Sequence, residues 1–538
     1  MTRKGCVLIL AATIVALVLR LPRLEQRPMH GDEAVHAVKF AELLEQGIYT
    51  YDPNEYHGPT LNYFTLIPAW LTSADKITQI NDFTVRIVPV VCGVLLVLLI
   101  ILIADGLGYA AAIYAAFLTA VSPAMVFYSR CYIQEMLLVF FTFGVIASGY
   151  RYARTGNILC ALSAGIFAGL MHATKETCII AFGSMLLALI AVLFMLDRKN
   201  ANADVRGSLK IPHIIVGLAA AIIISVLFYS SFFSNPRGIL DSIRTYTTYF
   251  DRAGNNSLHI HPWYYYLKML VYSRYDGGPL WTEVLIVILA VVGFTAAFKS
   301  RGKSFAEAGL LRFLAIYALV ITVVYSAVPY KTPWCMLGFL HGMILLAGVG
   351  AVVLVRSMSN KPIRLIIILM LLGASAHLTW QAYLNNYKYY AESTNPYVYA
   401  HPTTEVFIIV DKIEYYAAAD PNGYRTDIDV ICPGHDYWPL PWYLRSFSRV
   451  HYRDKVNDGP PAPLVIASEA VEDDLRKKFY DEAIPFEQRH LYMYMFESPY
   501  YVWLRPNVKL LGFVRKDLWD AANRASVPNE LIKNVPEK

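Results

Sequence analysis

Long apolar stretches limit what this chain can fold into before any other feature does. A helix needs about 20 mostly apolar residues to cross a bilayer, and about eleven segments meet that rule: residues 5–21, 84–105, 108–122, 132–150, 157–172, 177–196, 212–233, 280–298, 309–328, 335–355 and 363–381. A shorter stretch, 59–72, is interrupted by Pro59 and Pro68 and reads as a re-entrant or juxtamembrane helix. Only 16% of the 538 residues are charged, against about 25% in soluble domains. The expectation is an α-helical polytopic membrane protein. Segment 6–19 follows Arg3-Lys4 as a signal peptide would, but Leu21-Pro22-Arg23 lacks the small residues of a cleavage site. It is therefore read as a retained first helix.

The formal charge of +6 is modest for this length, and the basic residues sit in short loops between spans. That placement points to topology rather than nucleic acid. Arg3 and Lys4, Arg151 and Arg154, Arg198, Lys199, Arg206 and Lys210, then Lys299, Arg301, Lys303 and Arg312, and finally Arg356, Lys361 and Arg364 all fall on one side. By the positive-inside rule that side is the cytoplasm, with the amino terminus on it. The longer loops 22–83 and 234–279, and everything after 382, then lie outside a cell (plasma) membrane. The seven cysteines include no CxxC pair, so neither a disulfide framework nor a thiolate zinc site is indicated.

Two domains are expected: residues 1–383 in the membrane and 384–538 outside it. In the tail, 406–410 reads as a buried strand followed by a helix, 428–432 and 463–467 as further strands, and 471–480 as an amphipathic helix. Alternating strands and helices suggest a small α/β domain.

Candidate chemistry gathers in the outer loops. Pro28 and Gly31 break the chain, and 33–46 then reads as a helix ended by Gly47. Asp32 is expected at or beside the N-cap of that helix, and Asp32, His36 and Lys39 fall on one face at i, i+4 and i+7. Capping and catalysis are compatible, since a cap also fixes the side chain. His57 stands at the entry of the next apolar helix, Ser129-Arg130 and Glu135 at the outer end of two spans, and Lys331 in Tyr330-Lys331-Thr332-Pro333-Trp334. Lys175 and Glu176, adjacent in His172-Ala173-Thr174-Lys175-Glu176, read more simply as a solvated pair.

The ordered set Asp32-Glu33-x-x-His36, Tyr51-Asp52, His57-Gly58-Pro59 and Ser129-Arg130 with Glu135 resembles the protein O-mannosyltransferases and their bacterial relatives. These belong to the C-type (GT-C) glycosyltransferase superfamily. Tyr330 to Trp334 and the tail are similar to a bacterial and archaeal branch known as flippase activity-associated proteins. This chain has Gly58 where the family pattern has proline and Glu135 where it has aspartate, and it lacks the family's β-trefoil-like insert. The resemblance implies an inverting transfer from a polyprenyl-phosphate-linked sugar to a hydroxyl on a glycan, lipid or protein. Asp32 would be the catalytic carboxylate with Glu33 beside it. Arg130, with Lys331 and His57, would hold the donor phosphate, supported by His36, Glu135 and Lys175. A divalent cation (Mg or Mn) between carboxylates and phosphate is conceivable, without a dedicated ligand set. Two rivals stand beside this reading: a flippase for lipid-linked glycans, and a non-catalytic scaffold presenting its outer domain.

Overall fold

The computed structural model describes residues 3–195, 210–255, 259–299, 305–480 and 489–525. Arg198, Lys199, Arg206, Arg301 and Lys303, counted above as cytoplasmic charges, lie outside the described residues. The chain divides into two compact units. One holds Met1–Leu24, Lys39–Lys76 and Ile80–Tyr399; the other holds Glu25–Val38, Ile77–Gln79 and Ala400–Lys538. The segment around Asp32 thus groups with the tail rather than with the helices that surround it in sequence.

The first unit is helical. Its elements are α1 (Arg3–Arg20), the second half of α2 (Gly31–Gln46), α3 (Thr60–Leu71), α4 (Asp82–Leu99), α5 (Tyr109–Val121), α6 (Pro123–Tyr128), α7 (Glu135–Thr155), α8 (Ile158–His172), α9 (Cys178–Met195), α10 (Ile211–Tyr229), α11 (Arg237–Asn255), α12 (Tyr265–Val271), α13 (Val284–Lys299), α14 (Phe305–Ala327), α15 (Leu337–Ser357) and α16 (Lys361–Tyr383). Among the described residues, seven helices are long and apolar enough to cross a membrane. Three of the expected spans, α5, α8 and α13, are apolar but shorter. The helix predicted first, α1, carries Arg3, Lys4 and Arg20 among its 18 residues. Helix α3 contains Pro68 and ends at Leu71, as the proline-interrupted pattern predicts.

Small residues set the helix crossings where no polar force draws apolar helices together. At the α13–α15 contact, a Cβ on Gly350 would lie 1.9 Å from the Leu289 carbonyl oxygen, and one on Gly293 2.0 Å from that of Leu346. Two arginines seal helix ends, whose last carbonyls have no partner inside the helix. Arg20, fully buried, donates to Ala120 O at 2.7 Å and Thr119 O at 3.0 Å, where α5 stops before Pro123. Arg130 does the same for α1, as described below.

Among the described residues, the second unit carries a six-stranded sheet of β1 (Ile428–Ile431), β2 (Val450–Arg453), β3 (Leu464–Ser468), β4 (Tyr492–Tyr494), β5 (Tyr501–Arg505) and β6 (Val508–Arg515). The order is β2-β1-β3-β6-β4, with β5 also paired to β6. Strands β2, β1 and β3 are parallel, and β6 runs antiparallel to β3, β4 and β5. Alternation splits the core between two faces. Leu464 and Ile466 pack with helices α17 (Val406–Ala417) and α19 (Lys516–Ala525). Val465 and Ala467 pack with α18 (Glu472–Phe479). The expected strand at 406–410 is instead the first turns of α17. Val406, Ile409, Ile413 and Tyr416 are buried along it, with Ala417 at its end, a three-to-four-residue spacing that the five-residue apolar run hid.

Candidate active site

The turn between α8 and α9 organises the polar residues of the helical unit. Its position is fixed by the chain entering α3. Thr60 N donates to Ala173 O at 3.2 Å, and the hydroxyls of Thr60 and Thr174 lie 2.8 Å apart. The approach is so close that a Cβ at position 58 would sit 2.3 Å from Ala173 O. Gly58, where the mannosyltransferase pattern has proline, is therefore demanded by backbone contact.

Lys175 and Glu176 are both buried, not a solvated pair. Neighbours in sequence, they point to different partners. Glu176 takes His57 Nδ1 at 2.8 Å and the Tyr51 hydroxyl at 2.9 Å. Burial acts to raise the Glu176 carboxyl, but His57 and Tyr51 outweigh it and hold the group below the usual carboxylate range. Tyr51 packs edge-on against Tyr229 with ring centres 4.9 Å apart, within an apolar cluster that includes Tyr49, Ala173 and Phe228. Lys175 donates to Glu135 at the first residue of α7. Burial opposes its charge, yet Glu135 more than offsets that and keeps the ammonium above its ordinary value. Lys175 and Glu135 line a small cavity of about 30 Å³ together with Thr142, Tyr325, Trp334 and Cys335.

The other two predicted cations stand on carbonyl oxygens. Arg130 Nη1 donates to Arg20 O at 2.7 Å and Pro22 O at 2.8 Å, and Nη2 to Arg23 O at 3.1 Å, with the guanidinium 4.9 Å from the Tyr387 ring centre. In this structure it closes the end of α1. Lys331 is buried and donates to the carbonyls of His261 (3.1 Å) and Val328. Burial draws its ammonium below the usual lysine range. Among the described residues no carboxylate pairs with it.

In the second unit, Asp32 and Glu33 open α2 with different roles. Glu33 is fully buried, pairs with Arg27 Nη2 at 3.3 Å and accepts from His30 N at 2.9 Å, the reciprocal half of a capping box. Asp32 keeps about half its side chain exposed (53%), with one carboxylate oxygen 3.8 Å from His30 Nδ1. His36 is buried on the same helix. Lys39, expected to share a face with Asp32, pairs with Glu42 at 2.6 Å and lies 4.6 Å from the Tyr56 ring centre.

Sequence reasoning missed Glu283, just before α13. It is fully buried and accepts from Ser122 Oγ (2.5 Å), Ala124 N (2.9 Å) and the Tyr397 hydroxyl (2.8 Å). The signal was there: a carboxylate at the head of an apolar span is a suspect by default. Glu176 was missed because its neighbour Lys175 offered an easier partner. Among the described residues no three His, Cys, Asp or Glu side chains converge as metal ligands, so no ligand set is assigned to a divalent ion.

The fold is that of the GT-C membrane glycosyltransferases. Residues 65–229 match the family described as dolichyl-phosphate-mannose-protein mannosyltransferase. The chain is similar to ArnT from Cupriavidus metallidurans in the apo state, at 14% identity over 94% of this chain and 97% of that one, with a TM-score of 0.60. The same protein bound to undecaprenyl phosphate gives 15% identity, the same coverage and a TM-score of 0.57. An oligosaccharyltransferase from Archaeoglobus fulgidus, tethered with an acceptor peptide, gives 14% identity and a TM-score of 0.54, over 84% of this chain. This chain spans 64% of the length of that enzyme. Among curated protein sequences no significant match is found.

Proposed function

We propose that this chain is an inverting glycosyltransferase. It moves a sugar from a polyprenyl-phosphate donor to an acceptor hydroxyl on the extracytoplasmic face of the cell membrane, with the amino terminus in the cytoplasm. The observation that carries the reading is a small chamber walled by the buried Lys175–Glu135 pair, inside a fold whose neighbour ArnT is described bound to undecaprenyl phosphate.

A phosphate leaving group departs with its electron pair and needs charge stabilisation, not a general acid. One base is then enough. Asp32, the exposed carboxylate at the start of α2, takes the acceptor hydroxyl proton. The acceptor oxygen attacks the anomeric carbon from the face opposite the phosphate, the carbon–oxygen bond to phosphate breaks, and the configuration inverts. Arg130, Lys331 and His57 are the cations assigned to the departing phosphate. Glu33 stands beside Asp32 as the second catalytic carboxylate, and His36, Glu135 and Lys175 are the supporting residues. The acceptor is a hydroxyl on a glycan, a lipid or a protein.

Purified full-length chain in liposomes, supplied with a radiolabelled polyprenyl-phosphate-sugar, tests the reading. Label should pass covalently onto acceptors added outside. Label that crosses the bilayer with the donor intact would establish a flippase instead.

A further inference from the structure

We infer that the tail sets the position of the catalytic base: Tyr443, His401 and Trp438 are positioning residues that hold the three residues before Asp32. This rests on the reading of Asp32 as the base, and it gives the tail a part in the reaction.

The first N–H groups of a helix lack partners inside it and must find them elsewhere. In α2 the first intrahelical bond runs from Ala34 N to His30 O at 3.0 Å, which makes His30 the capping residue. Its ring completes the cap. Asp32 N donates to His30 Nδ1 at 3.1 Å, while Glu33 accepts from His30 N at 2.9 Å. The backbone of Asp32 is thus fixed by a buried imidazole.

Each of the three residues before Asp32 meets a different residue of the tail, within the same second unit. Met29 N donates to the Tyr443 hydroxyl at 2.8 Å, across 414 residues of sequence. The His30 ring lies 4.7 Å, centre to centre, from that of His401, which is buried with it. Gly31 runs along Trp438, whose Cβ is 3.7 Å from where a Cβ on Gly31 would stand.

These three grips stand on the core of the tail. Tyr443 closes the helical turn Leu440–Tyr443, in which Leu440 and Trp442 are fully buried. Its ring meets Phe407 of α17 edge-on, with centres 5.7 Å apart. The Trp438 carbonyl accepts from Arg505 Nη1 of β5 at 2.9 Å. Two residues after His401, Thr403 N donates to Leu504 O of the same strand at 2.9 Å. A group held by packed elements is placed more sharply than one on a loop, and displacement by about 1 Å can cost about 100-fold in rate. The sheet therefore lends its rigidity to the loop that carries the base.

Two measurements on the full-length chain test this. Hydrogen exchange in detergent, read by mass spectrometry, reports the hold itself. Tyr443→Phe removes the acceptor for Met29 N and should speed exchange over residues 29–32 by about ten-fold. Tyr492→Phe, which removes a hydroxyl bonded to Pro461 O and Ala462 O elsewhere in the tail, should leave that exchange unchanged. Transfer of label from farnesyl-phosphoryl mannose or glucose to octyl mannoside reports the consequence. Tyr443→Phe should lower kcat by about 10–100-fold, with the donor KM and the melting temperature close to those of the natural chain. His401→Leu should act in the same direction. His30→Asn, whose amide oxygen can replace Nδ1 as acceptor, should recover turnover that His30→Ala loses. Unchanged exchange in Tyr443→Phe, or faster exchange with unchanged kcat, would overturn the inference and leave the transferase reading standing. Transfer by Asp32→Asn at the natural rate, or none by the natural chain, would instead bring down the reading on which it rests.

Discussion

His57 and Glu176, separated by 119 residues in sequence, meet at 2.8 Å between the loop entering α3 and the turn leaving α8. Their contact predicts a pH dependence. Burial would raise the Glu176 carboxyl, but His57 and Tyr51 hold it below its ordinary range. The folded chain therefore binds that proton less readily than the unfolded one, whose carboxylate titrates near about 4.3. The stabilisation is fully present above that value and is lost as pH falls through the lower folded value. Melting temperature should drop more steeply on acidification in the natural chain than in Glu176→Gln. Parallel curves would show that the pair contributes nothing.

Asp32 and Glu33 should separate cleanly. Asp32→Asn should cut sugar transfer by about 10²–10⁴-fold with little change in melting temperature, because the side chain is half exposed. Glu33→Ala should instead destabilise the protein by about 3–5 kcal/mol, since it removes the buried carboxylate that meets Arg27. Turnover by Asp32→Asn close to that of the natural chain would exclude it as the base.

Gly58→Ala places a methyl group against the Ala173 carbonyl oxygen. A rigid backbone cannot yield as a side chain would, so a loss of about 1–3 kcal/mol is expected. The Thr60–Thr174 contact should loosen with it, visible as faster amide exchange at the start of α3. Unchanged stability and exchange would show that the two segments tolerate separation.

Glu283→Leu removes an acceptor shared by three buried donors, from Ser122, Ala124 and Tyr397. Each orphaned donor costs about 1–3 kcal/mol, so this variant should be among the most damaging outside the chamber. Thermal unfolding in detergent measures it. A melting temperature equal to that of the natural chain would mean that other groups satisfy those donors.

Much of this architecture could be read from residue order. Apolar length located the helices, and Pro28, Gly31 and Asp32 marked the start of α2 within two residues. What escaped depended on contacts distant in sequence. Five apolar residues at 406–410 fit a strand or a helix equally well, and packing against the sheet decided for α17. Lys175 and Glu176 looked like each other's partners because adjacency is visible and the chain's return is not. Arg130 was conspicuous as a cation, but its carbonyl partners on α1 leave no trace in composition. Glu283 was hidden inside an apolar span.

Lys175 and Glu176 share one peptide bond, and that bond is planar and stiff. The two side chains leave this one turn for different partners, the glutamate for His57 before α3 and the lysine for Glu135 at the head of α7. A substitution that displaces the turn therefore breaks two buried pairs together, at two separate helix entrances.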